Sequence, residues 1–141
     1  MKIKLLFIGL LLFFISCSQK NEDQLLGTWK LLSSETIRTN TTVVDTLPGQ
    51  IMLKIINETH FSFLRHDLDS NQVFVAGGGT YNLTDDKYTE NLDFCNYREW
   101  ENHKFDFNIK ITNDTLVQKG VEELEEIGIK QTIIETYVKV K

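Results

Sequence analysis

Between residues 104 and 112 every second side chain is apolar. Phe105, Phe107, Ile109 and Ile111 project to one side of an extended chain, and Asp106, Asn108, Lys110 and Thr112 to the other. A period of two fits a β-strand with one dry and one wet face, and a helix cannot present it. Tyr88, Leu92 and Phe94 stand in the same relation to Thr89, Asn91 and Asp93. Strands of this kind belong to a sheet covering a single core, in an antiparallel barrel or sandwich.

Turn signals divide the rest of the chain at intervals typical of an all-β domain. Strands are predicted over 26–35, 50–56, 60–65, 73–83, 87–94, 104–112, 115–121 and 131–140. Asn57-Glu58-Thr59, Thr84-Asp85-Asp86 and Asn113-Asp114 supply hairpin turns. These connections are too short for the crossover helices of a parallel sheet. A turn or two of helix is expected at 22–25, and 122–126 reads as a helix-friendly, charged loop. Gly77-Gly78-Gly79 interrupts a strand, where glycine marks a bend or bulge. No Gly-Lys-Ser/Thr follows, as a phosphate-binding loop would require.

The N-terminus has a different character. Lys2 and Lys4 precede an apolar run over 5–15, then Ser16 and Cys17. A charged start, a short apolar stretch and a small residue are the marks of a secretory signal. The run is shorter than the ~20 residues that span a bilayer. Phe14-Ile15-Ser16-Cys17 resembles a bacterial lipobox. The resemblance implies cleavage before Cys17, acyl chains on that cysteine and anchorage to a membrane of the cell envelope. Ser18 replaces the aspartate that resembles an inner-membrane retention signal, which favours the outer membrane. Residues 17–24 then form a lipidated cysteine with a polar tether, and 25–141 the folded domain.

Loss of residues 1–16 leaves 125 residues, enough for one domain. It removes two lysines, so the net charge falls from −5 to −7. Nucleic acid, which demands clustered Lys and Arg, is excluded as a partner. With Cys17 lipidated, Cys95 has no intramolecular disulfide partner and is expected as a small buried strand residue.

Leu26-Gly27-Thr28-Trp29-Lys30-Leu31 resembles the opening strand of lipocalins and their bacterial relatives. Gly77-Gly78-Gly79-Thr80-Tyr81, Lys87-Tyr88-Thr89-Glu90 and Glu135-Thr136-Tyr137-Val138-Lys139 resemble a bacterial lipocalin-like family of small exported domains, and the likeness covers most of 24–141. It implies an eight-stranded antiparallel, calycin-type barrel. It further implies that Trp29 plugs one end, with a basic residue of the last strand lying across it. Lys139 is the matching residue, although arginine is usual there and stacks better.

Catalytic chemistry finds no constellation, and no cofactor is expected. His60, His66 and His103 lack zinc-type spacing, and Ser62 lacks an orienting acid. Asp67, Asp69 and Asn71 mimic part of a calcium loop without its glycine and glutamate. The inward faces are more informative. Phe61, Phe63, Tyr81, Tyr88, Phe94, Phe105 and Phe107 are placed to line a barrel interior, and Arg65, Glu90 and Glu135 fall on the same faces. A charge on an apolar face must be paired or wetted. Either these groups pair across the barrel as a structural network, or they orient a ligand. The first alternative accords with a solid envelope protein acting through its loops, and the segment 96–103 around Trp100 has the composition of a contact surface or a lid. The second accords with a non-enzymatic binder of a small, largely apolar molecule.

Overall fold

The computed structural model describes residues 23–70 and 74–141. The leader, Cys17 and most of the tether lie outside the described residues, as do Asn71 and Val73. Nine antiparallel strands follow in sequence: β1 (Gly27–Arg38), β2 (Thr41–Asp45), β3 (Gln50–Ile56), β4 (His60–Asp67), β5 (Phe74–Thr84), β6 (Lys87–Cys95), β7 (His103–Thr112), β8 (Thr115–Leu124) and β9 (Ile129–Lys139). Each of β3 to β9 pairs with its sequence neighbour, and β1 pairs with both β3 and β9. Eight strands therefore close into a barrel, as expected, and β2 is additional.

β2 extends β1 beyond the expected boundary as a hairpin. The far half of β1, Ser34 to Arg38, pairs with Asp45 to Thr41, whereas its near half, Gly27 to Lys30, pairs with β3. The strand pattern could not announce β2, because Thr41, Thr42, Val43 and Val44 are all exposed. A period of two is visible only where one face is buried. β8 likewise runs on to Leu124, whose buried side chain ends the strand before a 3₁₀ turn at Glu125–Ile127. Residues 122–124 are thus strand and not loop.

The turns are built from their own side chains. Asn57 Oδ1 accepts hydrogen bonds from the amides of Thr59 (2.9 Å) and His60 (2.8 Å) between β3 and β4. Asp85 and Asn113 carry the left-handed backbone of the β5–β6 and β7–β8 turns, a conformation that Asp and Asn tolerate.

Two bulges decide which side chains enter the barrel. On β6, Gly78 pairs with Phe94 and Gly79 with Leu92, which leaves Asp93 as the extra residue. Alternation reverses there. Phe94 is 54% exposed and Cys95 is buried. Phe94 is therefore corrected from the interior to the outer wall. On β1, Leu31 pairs with Tyr137 and Ser33 with Thr136, so Leu32 is extra and turns outward. The same reversal puts Ser34 and Thr36 inside.

The glycine run makes the β6 bulge possible. A Cβ on Gly79 would lie 2.0 Å from Asn91 O and 2.7 Å from Asp93 N, both backbone atoms of the bulge. The Asp93 carboxylate closes the gap by accepting from Thr80 N at 3.0 Å. At Gly77 the neighbour is the Phe63 ring, whose Cζ would be 2.7 Å from an added Cβ. Phe63 thus lies across a strand stripped of side chains.

One end of the barrel is solid. Residues 23–25 form a helical turn against it, and Trp29, Leu25, Leu116 and Tyr137 are fully buried. Trp29 Nε1 donates to Leu25 O at 2.7 Å. Lys139 Nζ stands 5.0 Å from the Trp29 ring centre and donates to Gln24 O at 2.9 Å. The lysine thus ties the last strand to the plug.

Because the Gly79 clash is with backbone, Gly79→Ala should lower stability by at least about 2 kcal/mol in chemical denaturation. An unchanged midpoint would mean that the bulge does not depend on the missing Cβ.

Candidate functional site

Above the Trp29 plug the barrel is hollow. A cavity of about 500 Å³ opens at the other end. Its walls are mainly apolar, from Met52, Phe63, Leu92, Phe105, Phe107 and Ile133, while Lys54, Glu90, Gln118 and Glu135 also face it. Bound ligands commonly occupy spaces of this size and character, roughly 300–1,000 Å³ with a few placed polar groups.

The floor is a buried hydrogen-bonded network. Lys54 Nζ lies 2.6 Å from Glu90 Oε1 and donates to Gln118 Oε1 at 3.0 Å. Gln118 Nε2 donates to Glu135 Oε2 at 3.3 Å, and Tyr137 OH donates to the same oxygen at 2.7 Å. The ammonium is also ringed by aromatics, 5.4 Å from the Tyr137 centre and 5.8 Å from those of Phe61 and Tyr88. The network joins β3, β6, β8 and β9, so it spans the barrel. Burial pushes the Tyr137 and Tyr88 phenols well above their usual range, aided by the charges of Glu135 and Glu90 respectively. Tyr88 OH is buried without a hydrogen-bond partner.

Two further carboxylates feel the same burial. Glu135 is raised by desolvation against the pull of Lys54. Glu122, one wall position nearer the mouth, accepts from Gln131 Nε2 at 2.7 Å, yet burial still lifts it from 4.5 to about 7.

The mouth is framed by chain that the strand pattern did not resolve. Asp45, at the end of β2, binds Arg65 Nη2 at 2.8 Å. The same side chain accepts from Leu47 N through Oδ1 at 2.8 Å. The 3₁₀ turn Arg98–Trp100 lies opposite, with Tyr97, Glu99 and Trp100 lining the cavity. Trp100 packs on Phe105 with ring centres 5.8 Å apart, and Glu101 Oε1 fixes the loop by accepting from Cys95 N at 2.9 Å. Cys95 lines the cavity beneath, its thiol raised by burial.

Of the residues expected to line an interior, Phe63, Arg65, Glu90, Phe105 and Phe107 do so. Phe61 and Tyr88 lie in the packed core beneath, against Lys54. Tyr81 is at the solid end, where its hydroxyl donates to Asn57 O at 2.8 Å. Phe94 is outside. Arg65 pairs with Asp45 and not with a glutamate; Glu90 takes Lys54 instead. Lys54, Gln118 and Glu122 were not anticipated. Gln118 and Glu122 do alternate with Leu116 on β8. Lys54, however, stands in a run that is apolar on both faces, so its direction had no signal. Of the residues that mimic a calcium loop, Asp67 accepts through Oδ1 from the amides of Asp69 (2.8 Å) and Ser70 (2.9 Å), an ordinary solvated turn.

This geometry can be set beside known proteins. A family model matches residues 24–141, nearly the whole described chain. The chain belongs to the family Domain of unknown function (DUF4488). The DUF4488 chain is also similar to the crystal structure of an uncharacterized protein from Bacteroides eggerthii DSM 20697. The two share 13% identity and a TM-score of 0.49, over 82% of this chain and 98% of that one. No curated protein matches.

The folded DUF4488 domain holds a proton on Glu122 that the unfolded chain releases near pH 4.5. The stability contributed by that proton is complete below pH 4.5 and is lost as pH rises through about 7. Glu122→Gln should therefore leave the melting temperature nearly unchanged at pH 4.5 and raise stability by about 1–2 kcal/mol at pH 8. Equal effects at both pH values would show that Glu122 is not held protonated by its surroundings.

Proposed function

We propose that this protein is a lipid-anchored, non-enzymatic binder of a small, largely apolar molecule, working from the envelope with the outer membrane favoured. The observation that carries the reading is the cavity of about 500 Å³, walled by aromatic and aliphatic side chains above a polar floor. Closure by a tryptophan under a basic residue of the last strand supports reading the barrel as lipocalin-like. Several of the buried polar groups pair with one another, as in Lys54–Glu90 and Tyr137–Glu135. Such groups orient a ligand; they are not arranged as a nucleophile beside its base. The Phe14-Ile15-Ser16-Cys17 sequence supports the anchor, because several acyl chains on one residue keep a protein at a membrane for long periods.

A second reading, a partner-binding envelope protein, is favoured by the outer wall. Phe74, Phe94 and Tyr97 are exposed close to the 96–102 loop.

Native mass spectrometry of the full chain extracted from membranes tests both parts of the proposal. The expected spectrum carries a covalent lipid on Cys17 and a stoichiometric non-covalent mass, the latter lost in Met52→Trp, which narrows the cavity. A protein without any non-covalent mass, even after incubation with lipid and metabolite extracts, would move the account to the second reading. An unmodified Cys17 would remove the anchor.

A further inference from the structure

We propose that the ligand carries a cationic group, an organic ammonium, which docks against Glu135 and Glu122 on the β8–β9 wall. This rests on reading the cavity as a binding site. Four glutamates line the cavity, Glu99 at the mouth and Glu90, Glu122 and Glu135 on the barrel strands. The two cations that line it are already engaged, Lys54 by Glu90 and Arg65 by Asp45. The β8–β9 wall thus carries carboxyl groups that form no ion pair of their own among the described residues.

The hydrogen bonds show where a ligand donor would fit. Both bonds to Glu135 fall on Oε2, and the one to Glu122 falls on its Oε2. Glu90 receives its bond on Oε1 although the residue is only 6% exposed. Glu122 and Glu135 each therefore keep Oε1 without a hydrogen bond among the described residues, and both line the hollow. A buried carboxylate in that condition wants a charged donor. Burial raises both Glu122 and Glu135, and an ammonium beside them would favour their charged forms.

Position favours the same ligand. Gln118 pairs with Glu135, Gly120 with Ile133 and Glu122 with Gln131. The two acids therefore sit on adjoining strands, with the Gly120–Ile133 pair between their levels. Phe105, Phe107 and Phe63 provide the apolar wall for the rest of the molecule. A carboxylate ligand of the same size would meet these acids, and both cations that line the cavity are already paired.

Titration calorimetry of the full chain with n-octylammonium, 1-octanol and octanoate isolates the head group on one tail. The expected order is octylammonium tightest, by about tenfold over octanol, with octanoate weakest. Glu122→Gln and Glu135→Gln should each reduce that preference, with circular dichroism reporting that the variants are folded. Equal binding of all three, or a preference for octanoate, would overturn the cationic ligand and leave the cavity reading standing. Failure of all three to bind would overturn the cavity reading, and this inference with it.

Discussion

The structure turns on one ion pair inside the barrel. Lys54 is 2% exposed and Glu90 6% exposed, with 2.6 Å between their charged atoms. Taking both ions out of water costs several kcal/mol each, and their attraction offsets that cost only with good geometry and further hydrogen bonds. Gln118 and three aromatic rings supply the additional contacts. The pair divides the barrel into two regions. Below it, Phe61, Tyr88, Tyr137 and the Trp29 plug fill the interior; above it, the strands enclose open space. A wholly apolar layer at this level would close the core more tightly, and would leave a ligand nothing polar to bind.

The two bulges make that arrangement possible. Had strict alternation continued through Leu32, Ser34 and Thr36 would turn outward and Glu35 and Ile37 inward. Had Asp93 kept its place in the ladder, Phe94 would point into the space above Glu90. Each bulge reverses alternation at about the height where packed core gives way to cavity. Bulges at barrel rims commonly redirect side chains in this way. Here the effect is to exchange bulky residues for small or polar ones. The hollow is therefore a consequence of backbone register as much as of composition.

Much of this was legible in the sequence, for definable reasons. The barrel followed from period-two faces such as Phe105 to Ile111, and the plug from Trp29 with Lys139. Arg65 and Glu90 were recognisable as inward charges because their neighbours alternate cleanly. Their partners were not. Arg65 meets Asp45 on a strand exposed on every residue but its last, and Glu90 meets Lys54, which stands among apolar residues on both faces. Phe94 was misplaced because a bulge is a property of two strands together. The glycine run pointed to a bend or bulge, but not to the residue on the opposite strand that would absorb it.

The central claim is that the Lys54–Glu90 pair holds the floor on which the site is built. A double-mutant cycle measures it most directly, using Lys54→Met, Glu90→Gln and both together in chemical denaturation. The account predicts that Lys54→Met alone costs about 3–5 kcal/mol, since it leaves Glu90 buried and uncompensated, and that adding Glu90→Gln recovers most of the loss. Losses that simply add would contradict it, because the two side chains would then act independently and the floor would owe nothing to their pairing.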